Sequence, residues 1–476
     1  MKTKILFPFL CFFFIGLSAQ KISKTKKQMI ADVDAHSKEL IALSDSIWSY
    51  AETALTETKS SKLLADYTEK QGFTVKRGVA GMPTAFIASY GSGKPIIGIL
   101  GEFDALPGLS QKKTAQKEAL NSGKPGHGCG HNMFGAGSLG AALAVKDMIQ
   151  KGKIKGTIRF YGTPAEETIG GKIYMARAGL FNDLDASLTW HPGPNIVAST
   201  KSSLALIDFR VRFYGKTAHA ALDPWDGASA VDAMELYTTA INYQREHIKP
   251  DVRIHYLMEN AGSVVNVVPD YAVIWTRIRA NDKAGVDLVY EKVKKMAQGA
   301  ALMTGTTYKI ELISGMYNML VNRAGAQVLE NNLKLLGPIT YTDKETAFGK
   351  AVQKSLGKPQ TGMDATIKPL LPTEPYSPRA STDVGDISWI VPQINLSVTT
   401  APVGTPWHSW AVVACGGMSI GHKSVPYAAK ALSLTAYDLF TNADLLKKMK
   451  TEFKKRKGNN VYKAILPDGP PPVPTR

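Results

Sequence analysis

The stretch PIIGILGEFD, residues 95–104, decides the fold: an apolar run of strand length ends abruptly in two acids, Glu102 and Asp104. A continuous apolar run of this length, bounded by turn residues, reads as a strand buried on both faces. Four more runs share the character: Thr84–Tyr90, Thr157–Tyr161, Ala186–Trp190 and Ile394–Thr399. Helical stretches, such as Ala136–Gln150 and Lys172–Ala178, separate several of them. Strands alternating with helices predict an α/β layer on a mostly parallel sheet. Ahead of them, residues 28–75 read as helix, with Ile30, Val33, Leu40, Leu43 and Ile47 near helical spacing.

Between residues 205 and 315 the texture changes. Ser203–Tyr214 alternates as a strand, Ala228–His247 is helical, and Val252–Leu257 and Tyr271–Arg279 are strand-like. Asp287–Met303 is helical again, and Tyr308–Ile313 closes as a strand. This β-α-β-β-α-β order suits a small α+β domain with helices on one face of an antiparallel sheet. The α/β texture is the same on either side, so residues 205–315 read as an insertion into one discontinuous domain, 20–204 and 316–446. Residues 447–476 read as a basic, Pro-rich tail whose first part is the solvated face of a last helix.

The chain has 476 residues, 44% hydrophobic and 20% charged, which leaves room for more than one core. Three cysteines make no disulfide framework. Residues 1–19 have signal-peptide order: Lys2 and Lys4, the apolar run Ile5–Leu17, then Ser18-Ala19-Gln20. The apolar run is too short for a comfortable membrane span, so an exported protein, periplasmic or secreted, is expected. Cleavage there takes two lysines from the formal +17, leaving +15. That charge invites a nucleic-acid reading. Seven of the positive charges, however, crowd into residues 447–457, where only Phe453 and Tyr462 are near, without the interleaved aromatics of a strand-binding surface. No nucleic-acid partner is expected. Cys129 and Cys415 remain after cleavage, and either a disulfide or a metal-bound thiolate accounts for a cysteine in an oxidising compartment.

The neighbours of Cys129 favour metal. Gly126-His127-Gly128-Cys129-Gly130-His131-Asn132 precedes a helix, and its glycines let a loop aim Cys129 and His131 at one ion. Glu166-Glu167 follows Thr157–Tyr161, His191 ends Ala186–Trp190, and His408 comes after Ile394–Thr399. In an open parallel sheet the carboxyl ends of the strands converge on one crevice. Thiolate, imidazole and carboxylate gathered there suit zinc or a similar divalent ion. Glu166 and Glu167 diverge as neighbours, which fits one ligand and one general base for hydrolysis. Two solvated acids opening a helix fit the same position.

Two other patterns carry less. Gly135-Ala136-Gly137-Ser138-Leu139-Gly140 matches a dinucleotide fingerprint but follows the Cys-His loop instead of a strand, so helix packing accounts for its glycines. Gly417-Met418-Ser419-Ile420-Gly421 matches a nucleophile elbow. Only His422 lies beyond Ser419, with no acid between, and a triad needs both in order.

Taken together, these residues resemble the dinuclear metal amidohydrolases that include aminoacylases, hippurate hydrolases and auxin-conjugate hydrolases. The likeness spans about residues 28–445 through GEFDALPGLSQ, GHGCGHNMFGAGSLGAALAVK, GTPAEETIGGK, WHPGP, GKTAHAA, NVVPD, STDVGDISW and GTPWHSW. It is nearest to the aminobenzoyl-glutamate branch. It implies two divalent ions, zinc or manganese first and cobalt or nickel as alternatives, bridged by Cys129 with His131, Glu167, His191 and His408 as further ligands. Glu166 becomes the general base, and Asp104 orients the metal shell. Residues 205–315 become a lid and dimerisation domain, whose His219 reaches the partner subunit's site to hold the oxyanion. Asn266 and Arg279 match positions that hold a substrate carboxylate. The implied reaction is hydrolysis of the amide in an N-acyl or N-aroyl amino acid by a homodimer, or by a heterodimer with a related subunit.

Departures from the pattern bear on substrate more than on chemistry. Asn132 stands where many hippurate-type members have Asp, and Glu102 where the peptidase branch has a ligand His. A leader sequence is also unexpected in the aminobenzoyl-glutamate branch. A partner subunit without activity of its own is the reading from a different class, and the complete set of candidate ligands and base argues against it.

Overall fold

The computed structural model describes residues 22–372 and 380–474; the leader-like residues 1–19 lie outside the described residues. Among the described residues twelve strands form two sheets. They are β1 (Thr74–Arg77), β2 (Phe86–Ser92), β3 (Ile96–Glu102), β4 (Gly156–Thr163), β5 (Ala186–Gly193), β6 (Ile196–Ser199), β7 (Ala205–Tyr214), β8 (Arg253–Ala261), β9 (Tyr271–Ala280), β10 (Thr307–Met316), β11 (Ile367–Lys368) and β12 (Gln393–Thr399). The larger sheet runs β1-β2-β4-β3-β5-β12-β6-β11. Its centre, β4-β3-β5-β12, is parallel throughout, and antiparallel pairs occur only towards the edges. This is the mostly parallel α/β sheet expected from the apolar runs. Each central strand is buried along nearly its whole length, as a sheet covered on both faces requires.

The helix His131–Gln150 lies on this sheet, between the helices Lys24–Tyr50 and Ser424–Thr441. The three glycines of the fingerprint-like segment are explained by that packing. A Cβ on Gly135 would meet the Glu102 carbonyl oxygen at 2.9 Å, one on Gly137 the Trp190 ring at 2.8 Å, and one on Gly140 the Leu40 side chain at 2.5 Å. Ser138 Oγ donates to the Leu100 carbonyl (2.6 Å), and Trp190 Nε1 to that of Phe134 (3.0 Å). Gly137→Val is therefore expected to drive the helix off a fully buried ring. Overpacking of this kind costs about 1–3 kcal/mol, read as a lower denaturation midpoint; an unchanged midpoint would show that the contact yields freely.

One sequence expectation is corrected. Residues 28–75 are two helices, Lys24–Tyr50 and Thr58–Lys70, followed by β1. Ala51 takes a left-handed conformation (φ 45°), and the linker is pulled against the sheet edge by tertiary bonds. Thr53 bridges Ala105, Ala105 N donates to the Glu52 carbonyl (2.8 Å), and the Glu52 carboxylate accepts from the backbone of Lys59 and Ser60.

The smaller sheet, β10-β7-β9-β8, is antiparallel, with the helices Ala230–Gln244 and Lys283–Thr304 on one face. It has its own core around Phe209, Phe213, Tyr237 and Val293. The chain crosses between the sheets at residues 200–204 and 317–320. β8 is an open edge exposing Leu257 and Met258.

The terminal segment packs back onto the chain. The helix Ala443–Lys457 buries Leu446 and Met449, and Lys450 pairs with Asp185. Beyond it, Tyr462 donates to Asp386 (2.9 Å), and Arg177 donates to the carbonyls of Pro467 and Gly469. Among the described residues no helix is long and apolar enough to cross a membrane.

Candidate metal centre and active site

Parallel strands put their carboxyl ends on one edge of the sheet, and the candidate residues gather there. Glu102 ends β3, with Asp104 two residues on; Glu166 and Glu167 follow β4; His191 is in β5; His408 lies in the loop after β12. Cys129 sits in the turn before the helix His131–Gln150 and His131 is its first residue. The turn needs its glycines: Gly130 has φ 83°, and a Cβ on Gly128 would lie 2.5 Å from Leu109 and 3.4 Å from His408 Cα. His408 N donates to the Gly128 carbonyl (2.9 Å), which couples the two loops. Two non-glycine residues here are left-handed, Ala165 (φ 60°) and His408 (φ 57°). Such strain persists only where surrounding bonds hold it, and it concentrates at functional sites.

The side chains face one another at ligand distances. Cys129 Sγ is 3.4 Å from His191 Nε2, and Glu167 Oε2 is 3.3 Å from His408 Nε2. His131 Nδ1 is 2.9 Å from Asp104 Oδ1, while its Nε2 lies 3.0 Å from Glu102 Oε2 and 4.0 Å from Glu167 Oε1. Asp104 Oδ2 accepts from Glu167 N (3.0 Å), so this one carboxylate orients both a histidine and the Glu167 backbone. His191 Nδ1 donates to the Pro192 carbonyl (2.7 Å). With Nδ1–H so committed in both rings, His131 and His191 turn the Nε2 lone pair inward, the arrangement of metal-ligating histidines.

A divalent metal fits this donor set. Cys129, His131 and His191 form one group with ligand atoms within 4.8 Å of each other; Cys129, Glu167 and His408 form a second, and Glu102, His131 and Glu166 a third. Glu102 Oε2, His131 Nε2 and Glu167 Oε1 are buried and have no aligned hydrogen-bond partner among the described residues. Buried polar atoms left so are costly unless something else meets them. Both Cys129 and Cys415 are free thiols, so no disulfide joins them.

The electrostatics agree. Burial, together with Glu102, Glu167 and Asp383, raises the Glu166 carboxyl well above its usual range, and burial lifts Glu167 to about 7. Burial also raises the Cys129 thiol and lowers His191 to about 4. For His131, burial opposes the charge, but Cys129, Glu102 and Asp104 outweigh it and raise the pKa. Cations among these groups would reverse the upward shifts of the acids and the thiol.

A cavity of about 910 Å³ opens over the cluster and reaches the smaller sheet. Cys129, Glu166, Glu167, His191 and His408 line it, as does Arg279 of β9, whose Nε is buried with no hydrogen-bond partner among the described residues. His131 and Asp104 are buried beneath its floor. His219 and Asn266 are not brought to it. They lie side by side on exposed loops of the smaller sheet, with Ala220 N donating to the Asn266 carbonyl (3.0 Å).

Sequence reasoning overlooked three buried charged residues around the site. Glu57 accepts from Ala165 N (2.9 Å) and Thr84 Oγ1 (3.0 Å), holding the strained residue ahead of the two glutamates; burial, then Asp104, raises its carboxyl to about 8. Lys172 and Asp383 form a buried ion pair that includes Glu102. Their one local signal was a lysine inside the apolar helical stretch that follows Gly170-Gly171.

A mixed α/β fold with thiolate, imidazole and carboxylate donors at its strand ends defines a metal-dependent amidohydrolase. The family model for peptidase family M20/M25/M40 matches residues 98–363, and the chain belongs to this family. It is 37% identical over 471 residues to one of the subunits of the p-aminobenzoyl-glutamate hydrolase of Escherichia coli, covering 93% of this chain and 98% of the relative. It is 28% identical over 452 residues to the Xaa-Arg dipeptidase of Mus musculus, covering 92% and 94% of the two chains. A dinuclear metal-binding M20 peptidase from Bacillus subtilis shares the fold, with a TM-score of 0.60 at 18% identity over 86% of this chain and 99% of that one.

Proposed function

We propose that the chain hydrolyses the amide bond of an N-acyl or N-aroyl amino acid with a free carboxylate, p-aminobenzoyl-glutamate being the favoured substrate. The observation that carries this reading is one cavity lined by Cys129, Glu167, His191 and His408 together with Glu166 and Arg279. Cys129, His131, Glu167, His191 and His408 would hold two divalent ions; zinc or manganese suits these donors, and cobalt or nickel is compatible. Bound there, divalent ions supply Lewis-acid polarisation of a carbonyl and a lowered pKa for water. Glu166 takes a proton from the attacking water and passes it to the leaving nitrogen. Asp104 keeps His131 turned inward. His219 and Asn266, side by side on one loop region, are supplied by a second subunit: His219 donates to the developing oxyanion, and Asn266 holds the substrate carboxylate together with Arg279 of this chain.

Dimerisation through the smaller sheet is part of this reading, supported by the open β8 edge and by Val264 and Val265, both exposed nearby. The E. coli relative is named as a subunit, which supports a second reading: a heterodimer with a related chain. The dipeptidase relative supports a wider range of N-acyl amino acids or dipeptides. Export rests on the order of residues 1–19, and cell fractionation tests it.

The first experiment is cleavage of p-aminobenzoyl-glutamate by purified mature protein, chelated and then resupplied with manganese or zinc. Metal-restored cleavage supports substrate and cofactor together; no cleavage by metal-loaded protein, with other N-acyl amino acids cleaved, removes this substrate. Arg279→Ala is expected to raise KM by about tenfold to a hundredfold with a smaller effect on kcat, the loss of one charge-assisted hydrogen bond to a carboxylate. An unchanged KM would take Arg279 out of substrate binding.

A further inference from the structure

Directly behind the candidate ligands lies a charged cluster that the proposed chemistry leaves unused. Lys172 is wholly buried in the helix Gly171–Arg177, and its ammonium donates to Glu102 Oε1 (2.6 Å) and Asp383 Oδ1 (2.8 Å). Its backbone N–H donates to the other Asp383 oxygen (3.0 Å). Both acids are buried as fully as the lysine. Three charges taken out of water are expensive, and only well-aligned bonds offset the cost. Here both oxygens of Asp383 and one of Glu102 are held. The remaining oxygen, Glu102 Oε2, stands 3.0 Å from His131 Nε2 with no aligned hydrogen bond on either atom. Asp104 occupies the other nitrogen of His131, so Nε2 turns a lone pair to the same region as Glu102 Oε2 and the Glu166 carboxylate.

We propose that Lys172 is a positioning residue for the metal centre: it pins Glu102 so that one carboxylate oxygen stays beside the metal-facing nitrogen of His131. This rests on reading the Cys129–His408 cluster as the metal centre. Without the ammonium, Glu102 and Asp383 would face each other and Glu166 in one buried space and repel. A methyl group would fill the volume but leave Glu102 free to rotate. The tie reaches further. Asp383 precedes the helix Val384–Ser388, which receives the chain returning from the smaller sheet: Tyr317 N donates to Asp386 Oδ2 (3.2 Å) and Leu320 N to Ser388 Oγ (2.8 Å). One lysine thus joins the end of β3, the crossover and the metal-facing carboxylate.

The test is cobalt binding by the full-length protein. Lys172→Met with Asp383→Asn removes one positive and one negative charge, leaving the net charge of the cluster unchanged. If Lys172 positions Glu102, cobalt affinity falls about tenfold to a hundredfold, the usual consequence of losing a group that orients ligands. The visible cobalt bands shift with it, while the metal-free thermal midpoint stays near wild type. Glu102→Gln, which keeps an oxygen for Lys172, is expected to weaken cobalt binding similarly and decides the matter should the double variant not fold. Wild-type affinity and spectrum in the folded double variant, or in Glu102→Gln, would overturn the proposal. Cys129→Ser, run in parallel, keeps the two readings apart: cobalt lost there, with Glu102→Gln unaffected, refutes the role of Lys172 alone. Wild-type protein that takes up no cobalt overturns both.

Discussion

Glu166→Gln is expected to lower kcat by about two to four orders of magnitude, the range for a positioned general base, while metal content stays at the wild-type level. Glutamine keeps the shape and the hydrogen-bonding reach but cannot take a proton. The carboxylate's position is over-determined: Ala165 is held left-handed by the buried Glu57, and the next residue, Glu167, is tied through its N–H to Asp104. Glu166 lines the cavity and belongs to neither donor group that contains Cys129, so its loss leaves both groups complete. Turnover at saturating p-aminobenzoyl-glutamate, with metal measured on the same sample, separates the outcomes. Retained turnover removes Glu166 from proton transfer. Loss of metal with loss of turnover would instead make it a ligand alongside Glu102 and His131, the third donor group.

How much of this site could be read beforehand depended on the range of the interaction concerned. The central strands of the larger sheet declare themselves because burial on both faces demands unbroken apolar runs; Glu102 and His191 follow two such runs directly, and Glu166-Glu167 and His408 lie in the loops beyond two others. The break at Ala51 was hidden because its cause is not local. The apolar spacing that ends at Ile47 resumes at Leu64, and only the bridge from Thr53 to Ala105 bends the chain between them. β6 and β11 are short, and neighbouring strands, not a pattern of their own, define them. Lys172 lies 70 residues from Glu102 and 211 from Asp383, so no spacing rule joins them. A buried charge of this kind is legible only once its partners are in place. The fingerprint-like glycines show the opposite case: position after a loop instead of a strand was enough to assign them to packing, and Trp190 and Leu40 are what they pack against.

His219→Ala is expected to lower kcat by about a hundredfold to a thousandfold, the cost of one oxyanion donor, although within its own chain this histidine is exposed and outside the cavity. Its ring is already prepared for donation. Nδ1 accepts from the backbone N–H groups of Ala221 (3.2 Å) and Leu222 (3.1 Å), so the neutral ring carries its proton on Nε2. The loop is braced by Asp223, which accepts from His219 N (3.0 Å). Around it Leu222, Trp225 and Val265 are 71%, 77% and 97% exposed, an apolar surface of the kind that marks a contact with another chain. A donor held in the right tautomer beside such a surface fits a role completed by a second subunit. The discriminating experiment is complementation. His219→Ala and Glu166→Gln chains, each nearly inactive alone, are co-expressed with different tags and purified as the mixed dimer. In that dimer one site combines an intact Glu166 from one chain with an intact His219 from the other, and activity should return. A mixed dimer as inactive as its parents, or a His219→Ala protein with wild-type kcat, would take His219 out of the reaction.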